Sequence, residues 1–432
     1  MRKKHVGFLK LENVDKAREK LLQRAKLNLR VEIVHLNNAL GRVVAEDIYA
    51  LRDYPPEDRA AVDGVAVRSE DVVGASQSNP IRLEIVGVVE AGDVISGKSL
   101  SIDVNQAAIV YTGAQLPQNS DAVIPFEEAL IEGNYVYVFK QVEKFKNVSR
   151  KGEDFREGEL LISKGTLIRP WHIAALVESG YKEVKVFEKP KVCVINVGDE
   201  LYEFADEASN KSGIPNSTGP LITAYVSELG CEPVYLGIVP DDEVAIKDIV
   251  EKALRKCDVV VVTGGTSVGG KDLVPDVLSK FNGAELIFHG VNLRPGRTAG
   301  AFLIDGKPVL MLSGLPVAAF VGLENFLKPL IENRLNMRKL PESVIEGKLT
   351  RRLANVVGFK SYFRVVVYED NGQVYITPLR LTGSGILSTL LKGNAVLVID
   401  ENVEGYEEGS YVKVKLLNPI YEGRPEFLQN SL

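Results

Sequence analysis

From Lys189 onward the chain alternates short apolar runs with amphipathic stretches, and few folds accept that pattern. KVCVINVG reads as a buried strand and PNSTGPLITAYVSELG as a helix closing at Gly230. EPVYLGIV is a strand, DEVAIKDIVEKALRKC a helix, DVVVVTGG a strand and KDLVPDVLSKF a helix. VAAFVGLENFLKPLIENRL ends the region as a long helix. Strands and helices alternating at this spacing make βαβ units, and therefore a doubly wound parallel sheet.

The rest of the chain has other textures. Residues 11–50 read mostly as helix: Leu11, Val14, Ala17, Leu21 and Leu22 recur at helical spacing, and Leu36, Leu40, Val43 and Val44 do so after Val34. Tyr54-Pro55-Pro56 breaks the pattern. From about residue 60 to 147 short β-branched runs (IRLEIVGVVEAG, AAIVYTGAQLP, DAVIPFEEAL, NYVYVFKQV) are parted by Gly, Pro, Asn and Asp. Helical spacing returns in RPWHIAALVESG, and residues 341–420 are strand-like again, with Asn371-Gly372 suited to a type I′ hairpin turn. The expected architecture is α/β plus β. A helical and extended domain is built from 1–50 with 148–188, a β-rich domain is inserted at 51–147, the α/β domain covers 189–338 and a β domain 339–432. A chain of 432 residues has length enough for such a division.

Composition narrows the function. Apolar residues make up 45% and the formal charge is −6, values of an ordinary soluble globular protein rather than a nucleic-acid coat or a polybasic membrane anchor. No apolar run approaches the 18 residues of a transmembrane helix, and MRKKHVGFLKLENV lacks the apolar core of a secretory signal. Cys193, Cys231 and Cys257 form a sparse, odd set without CxxC, which fits a reducing cytoplasm and a fold without disulfides. His5, His35, His172 and His289 are too scattered for a zinc site. Many Glu, Lys, Val and Ile with three Met lean toward a thermophilic source.

In open α/β sheets, ligands bind beyond the carboxyl ends of the strands. That rule selects three loops: Gly198-Asp199-Glu200, Pro240-Asp241-Asp242, and the run from Gly264 through Gly265, Thr266, Ser267, Val268, Gly269 and Gly270 to Asp272. The glycines of the third let backbone approach a phosphate, with two hydroxyls and the next helix start to grip it. The plainer reading is a tight turn with Asp272 as a helix N-cap. An acid beside a phosphate calls for a cation, and Mg²⁺ suits a few carboxylates plus phosphate oxygens. Gly265–Gly269 also matches the G-x-S-x-G hydrolase elbow, but only His289 follows it, too near to serve as triad partner. Arg294 and Arg297 flank a Pro-Gly turn, an oxyanion fork or a solvated turn. Ser313-Gly314-Leu315-Pro316 opens a helix as an anion cradle or a cap. Asp58–Gly64 and Arg150–Asp154, taken alone, are solvated charged turns.

Taken together, PPEDRAAVDGVAV, YTGAQLPQNSDAVIPFE, RKGEDF, NVGDEL, LGIVPDD, TGGTSVGGKD, NLRPGR and LSGLPVAA resemble the MoeA-type molybdopterin molybdenumtransferases, the family of the gephyrin E domain. The eight stretches run in family order over most of the chain. The resemblance implies a homodimer with a shared active site, a molybdopterin-binding α/β domain and a small C-terminal β-barrel. It implies Mg²⁺-dependent insertion of molybdate or tungstate into adenylylated molybdopterin, with release of AMP. The family's acids fall on Asp58, Asp154, Glu200, Asp241 and Asp272, the last three as metal ligands. Its second-domain threonine, glycine-loop serine and basic anion-binding pair fall on Thr112, Ser267, Arg294 and Arg297; Gly264, Gly265, Thr266, Gly269 and Ser313 stand beside them as the further pterin- and anion-binding positions read from the loops. SGLP stands at 313–316 where members carry PGNP, and Thr298 follows Arg297 where many carry Pro. A non-catalytic scaffold, as gephyrin also is, is the alternative reading.

Overall fold

The computed structural model describes residues 11–27, 29–93, 99–203, 213–265, 273–338, 341–379 and 384–429. The chain separates into two compact units: Ile33–Val186, and the segments before Ile33 and after Val186.

Helix α1 (Val14–Arg24) is the helix expected near the start. Asn13 caps it by accepting from the Lys16 N–H at 3.0 Å, and Val14, Ala17 and Leu21 form its buried stripe. The helical reading of 11–50 fails beyond it. Val31–His35 is extended, Leu36–Asn38 is a single 3₁₀ turn, and Ile48–Tyr49 is a short strand. β-branched Val31, Ile33 and Val34 favour extended backbone. Leu36, Ala39 and Val44 reach their core from turns, so their spacing only mimicked a helix.

Within Ile33–Val186, strands β1 (Gly64–Val67), β2 (Ile81–Val89), β3 (Gln106–Val110), β4 (Ala122–Pro125), β5 (Ala129–Glu132) and β6 (Tyr135–Val138) make one sheet in the order β4-β1-β3-β2-β6-β5. All pairs are antiparallel except β2–β3. Val65, Val67, Leu83, Ile124 and Val136 form its core. A second core, with Leu36, Ile48, Ile162 and Val186, lies under α2 (Pro170–Ser179) through Leu176.

The other unit holds the α/β sheet. Its elements are β7 (Lys191–Val197), α3 (Thr218–Glu228), β8 (Glu232–Val239), α4 (Glu243–Lys256), β9 (Val259–Thr263), α5 (Leu273–Ser279), β10 (Ala284–His289), β11 (Gly300–Ile304) and β12 (Lys307–Leu312). The order is β8-β7-β9-β12-β11-β10. The first four strands are parallel, while β11 and β10 each run antiparallel to their neighbour. The expected parallel sheet is therefore mixed. Cys193, Ile195 and Val197 pack with Val260, Val262, Ile246, Val250 and Val277 under α4 and α5, and α3 covers the other face.

Cys193 and Cys257 are joined by a disulfide, which corrects the expectation of unpaired thiols. Cys193 lies on the face that α4 covers and Cys257 follows the end of that helix, so their Cα atoms come within 5.7 Å. A separation of 64 residues leaves no local motif to betray the pair.

The closing helix runs from Pro316 to Arg334 with a π turn at Leu323–Leu327. Pro329 lacks the N–H that would continue the ordinary ladder there. In that turn Glu324 accepts from Tyr225 Oη at 2.5 Å and from Lys415 Nζ at 2.8 Å. Burial pushes its carboxyl up, but these hydrogen bonds and the lysine charge outweigh burial and hold it below the ordinary value. A depressed carboxyl contributes stability above its unfolded pKa and loses it as pH falls through the folded one. Acid titration of unfolding should therefore show a loss of stability below roughly pH 4.3, the unfolded Glu value. Glu324→Gln should flatten that slope; an unchanged slope would refute the role.

The C-terminal strands β13 (Val344–Leu349), β14 (Lys360–Asp370), β15 (Gln373–Pro378), β16 (Ala395–Ile399) and β17 (Tyr411–Leu416) close into a barrel, because β14 pairs with both β15 and β16. The hairpin turn is as expected, with Asn371 and Gly372 at φ 51° and 75°. Asn13 Nδ2 to Glu401 and Lys360 Nζ to Asp15 tie α1 to this barrel.

Candidate active site

Strand order reverses beside β7: the chain steps out to β8, then returns to β9 on the other side. The carboxyl ends of β7 and β9 flank the crevice such reversals create. A polar network supports it from below. Asn196 donates to Thr263 Oγ1 at 2.5 Å, Asn216 donates to Asn196 Oδ1 and to Tyr235 Oη, and Tyr235 donates to Glu203. Asn196, Thr263 and Asn216 are at most 3% exposed, so the network is satisfied internally and locks three strand ends to the start of α3.

Above it the loops meet. The Asp241 N–H donates to Asp199 Oδ1 at 3.1 Å, and the Asp199 N–H lies 3.4 Å from Asp241 Oδ2. Each acid thus holds the other's backbone. Asp242, by contrast, caps α4, accepting from Val244 and Ala245 N–H. Glu200 folds back over Gly198, where an added Cβ would sit 2.8 Å from its carboxylate. Asp199, not Glu200, is the direct partner of Asp241, and sequence reasoning did not single it out. Asp199, Glu200 and Asp241 have no basic partner among the described residues.

Gly264 has φ +83°, and a Cβ there would lie 2.0 Å from the Val197 carbonyl oxygen, so only glycine fits. Gly265 also has positive φ and its carbonyl accepts from the Val274 N–H that begins α5. Gly314 is packed against Gly264, with its Cβ direction 3.6 Å from the Gly264 Cα. Ser313 Oγ accepts from the Leu315 N–H, and Thr218 Oγ1 donates to the Gly314 carbonyl. Ser313 and the glycine turn are thus neighbours, as β9 and β12 are. Thr266, Ser267, Gly269 and Asp272 lie outside the described residues.

Arg294 and Arg297 are exposed, and their guanidinium groups make no hydrogen bond or ion pair among the described residues. Their turn is rigidly seated: Val291 N–H donates to the Arg297 carbonyl, Gly296 has φ +110° beside Ala318, and Leu293–Arg294 pairs with Lys360–Ser361 of the barrel. Free guanidinium forks on a fixed turn suit an oxyanion.

In the other unit, the two charged loops that read as separate solvated turns come together, with the Thr112 loop beside them. Asp58 accepts from the Lys151 N–H through Oδ1, and its carbonyl accepts from Leu116. Asp154 N–H donates to the Tyr54 carbonyl and its side chain is exposed. Thr112 gives both its N–H and its hydroxyl to Asp63 Oδ1 at 2.7 Å. Those two bonds, the backbone one first, hold the Asp63 carboxyl below the usual range. Asp63 fixes Thr112 and was not among the expected site residues.

Mg²⁺ takes a few hard carboxylate oxygens and fills the rest of its shell from phosphate and water. The unpaired oxygens of Asp199, Asp241 and Glu200 have that chemistry. Among the described residues no group of three acids, histidines or cysteines is gathered for a metal. A complete shell thus needs donors beyond them.

This crevice in a mixed α/β sheet, in a unit that also carries a closed barrel, is of the molybdopterin-binding type. A probable molybdopterin binding domain matches residues 193–333, the MoeA N-terminal region (domain I and II) matches 12–180, and the MoeA C-terminal region (domain IV) matches 346–417. A putative molybdopterin biosynthesis protein of Methanocaldococcus jannaschii is 36% identical over 92% of this chain and 95% of its own. The molybdopterin molybdenumtransferase of Bacillus subtilis is 34% identical over 89% and 90%. A crystal structure of a molybdopterin biosynthesis moeA protein from Pyrococcus horikoshii superposes with TM-score 0.81 at 34% identity, covering 94% of this chain and 100% of that one. The chain belongs to the MoeA family.

Proposed function

We propose that the chain is a molybdopterin molybdenumtransferase of molybdenum cofactor biosynthesis, acting on adenylylated molybdopterin and molybdate or tungstate. The observation that carries the reading is the pair of acid loops, Asp199 and Asp241, braced against each other at the switch point beside the Gly264 turn.

The glycine turn, with Gly265, Thr266, Ser267, Gly269 and Ser313, holds the pterin-side phosphate through backbone N–H groups and hydroxyls. Glu200, Asp241 and Asp272 orient the phosphoanhydride and hold Mg²⁺. When bound, that ion neutralises charge developing on the departing adenylate. Arg294 and Arg297 fix the metal oxyanion with their unpaired forks. No cysteine of the chain takes part: Cys193 and Cys257 are bonded to each other, and Cys231 is buried with its thiol pushed up to about 12, mainly by burial. Asp58, Asp154 and Thr112 serve the same reaction as further acidic and polar groups.

The working form is a cytoplasmic homodimer with a shared active site. The four-domain division is kept, with α1 reassigned to the α/β side. Among the described residues no helix is long and apolar enough to cross a membrane.

The test is AMP release by the purified protein from adenylylated molybdopterin, with each oxyanion in turn and with Mg²⁺ present or chelated. Release should require an oxyanion and Mg²⁺ together. Binding of the pterin with no release under either anion would overturn the reading in favour of a scaffold.

A further inference from the structure

Away from the acid loops, the outer face of the barrel carries a groove of about 1410 Å³. It lies where Val366 and Tyr368 turn outward from β14 against Leu428, while Val365 and Val367 fill the barrel core. Five cations line it, Lys348, Arg351, Arg352, Lys392 and Arg424, against one lining acid, Glu408. The whole chain has a net charge of −6, so this concentration of positive charge runs against the composition.

Some of those cations are already engaged. Arg352 pairs with Glu407 at 3.2 Å, and Arg351 donates to the Pro378 carbonyl. Arg424 donates only to a carbonyl, that of Leu428, and Lys392 Nζ lies 5.7 Å from the Phe427 ring. Lys348, Lys392 and Arg424 therefore have no carboxylate partner among the described residues. Between them the lining mixes aromatic rings with hydroxyl groups. Tyr375 stacks on Tyr368 at 5.4 Å, and Phe427, edge-on to Tyr421, packs against the same cluster and also lines the groove. Thr350 and Thr377 share a hydroxyl hydrogen bond of 2.8 Å in the lining.

Unpaired cations around a cleft focus positive potential and draw anions. Aromatic walls add affinity for a planar ring, and small-molecule pockets usually measure ~300–1,000 Å³. A lone phosphate would leave most of this groove filled with water. We infer that the groove is an ancillary binding site for a phosphorylated planar ring compound, the shared chemistry of a nucleotide and a pterin phosphate. The basic rim takes the phosphates, and Tyr375 and Phe427 take the ring. The inference stands apart from the transferase reading, because none of its residues is placed in the reaction.

Isothermal titration of the full chain tests it with three probes: ADP, 6-hydroxymethylpterin phosphate and inorganic pyrophosphate. The comparison is between wild type and Lys348→Glu/Lys392→Glu, two exposed positions, with circular dichroism to verify folding. Arg424→Glu is the second variant should the first not fold. At least one ringed probe should bind wild type, lose tenfold or more in the variant, and exceed pyrophosphate by tenfold. Which ringed probe binds tighter separates the two sources. Unchanged binding of both in a folded variant, or pyrophosphate binding as tightly as either, overturns the inference. The Asp241→Asn protein should keep this binding event, so a failed transferase reading and a failed groove give different results.

Discussion

Replacing Asp241 by Asn should lower AMP release by roughly a hundredfold or more, the range seen when one preorganised electrostatic group is lost from an active site. Asn has the same shape, and its amide oxygen can still accept from the Asp199 N–H, so the loop should keep its place. Asp241 is partly exposed and pairs with no cation among the described residues, so the melting temperature should move little. The expected signature is a fall in kcat with folding intact and the pterin still bound. Glu200→Gln and Asp272→Asn should behave in the same way. Near wild-type turnover in the Asp241 variant would remove that acid from the reaction and leave its bond to Asp199 as mere bracing.

Breaking the Cys193–Cys257 bond should cost the α/β unit about 4 kcal/mol, from the loop-closure entropy of a 64-residue span. Both sulfurs sit in the core under α4, so reductant should act only on the partly unfolded protein. Urea unfolding of the α/β unit with and without dithiothreitol checks this, as does Cys193→Ala/Cys257→Ala. The midpoint should fall in both. Cys231 should not substitute for either partner, since its thiol stays protonated and buried, and thiolate is the attacking form. Equal midpoints in oxidised and reduced protein would show that the bridge adds nothing. A bond of this kind fits proteins made in oxidising compartments or in hyperthermophiles. Cysteine count therefore gives no support to a reducing compartment.

The parallel half of the α/β sheet was legible because β7, β8 and β9 are uninterrupted apolar runs separated by amphipathic helices. The antiparallel half was not. Asp305-Gly306 carries the same turn chemistry as Asn371-Gly372, with φ 51° and 85°, and joins β11 to β12. Its flanking runs, Gly300–Ile304 and Lys307–Leu312, are not among the strands read from the sequence, so only one of the two hairpins was legible there. The first fifty residues misled for a different reason: apolar residues presented by turns recur at intervals close to helical ones. At the site, the glycine turn and the acid loops could be placed from strand ends alone. Asp63 and Asp199 could not, because what distinguishes them is a partner forty or more residues away, Thr112 or Asp241. Proximity of that sort has no signature along the chain.

The ring formed when Ala395–Ile399 pairs with Lys360–Asp370 has neither a first nor a last member. An open five-stranded sheet would expose two rows of unsatisfied amides and carbonyls, each a template for strand addition by a stranger. Here the ring hides that template, and the strand that seals it carries Tyr421–Glu422 as an extra cover along one side. Opening the seal, for instance with a proline at Val398, should turn a soluble appendage into a nucleus for self-assembly.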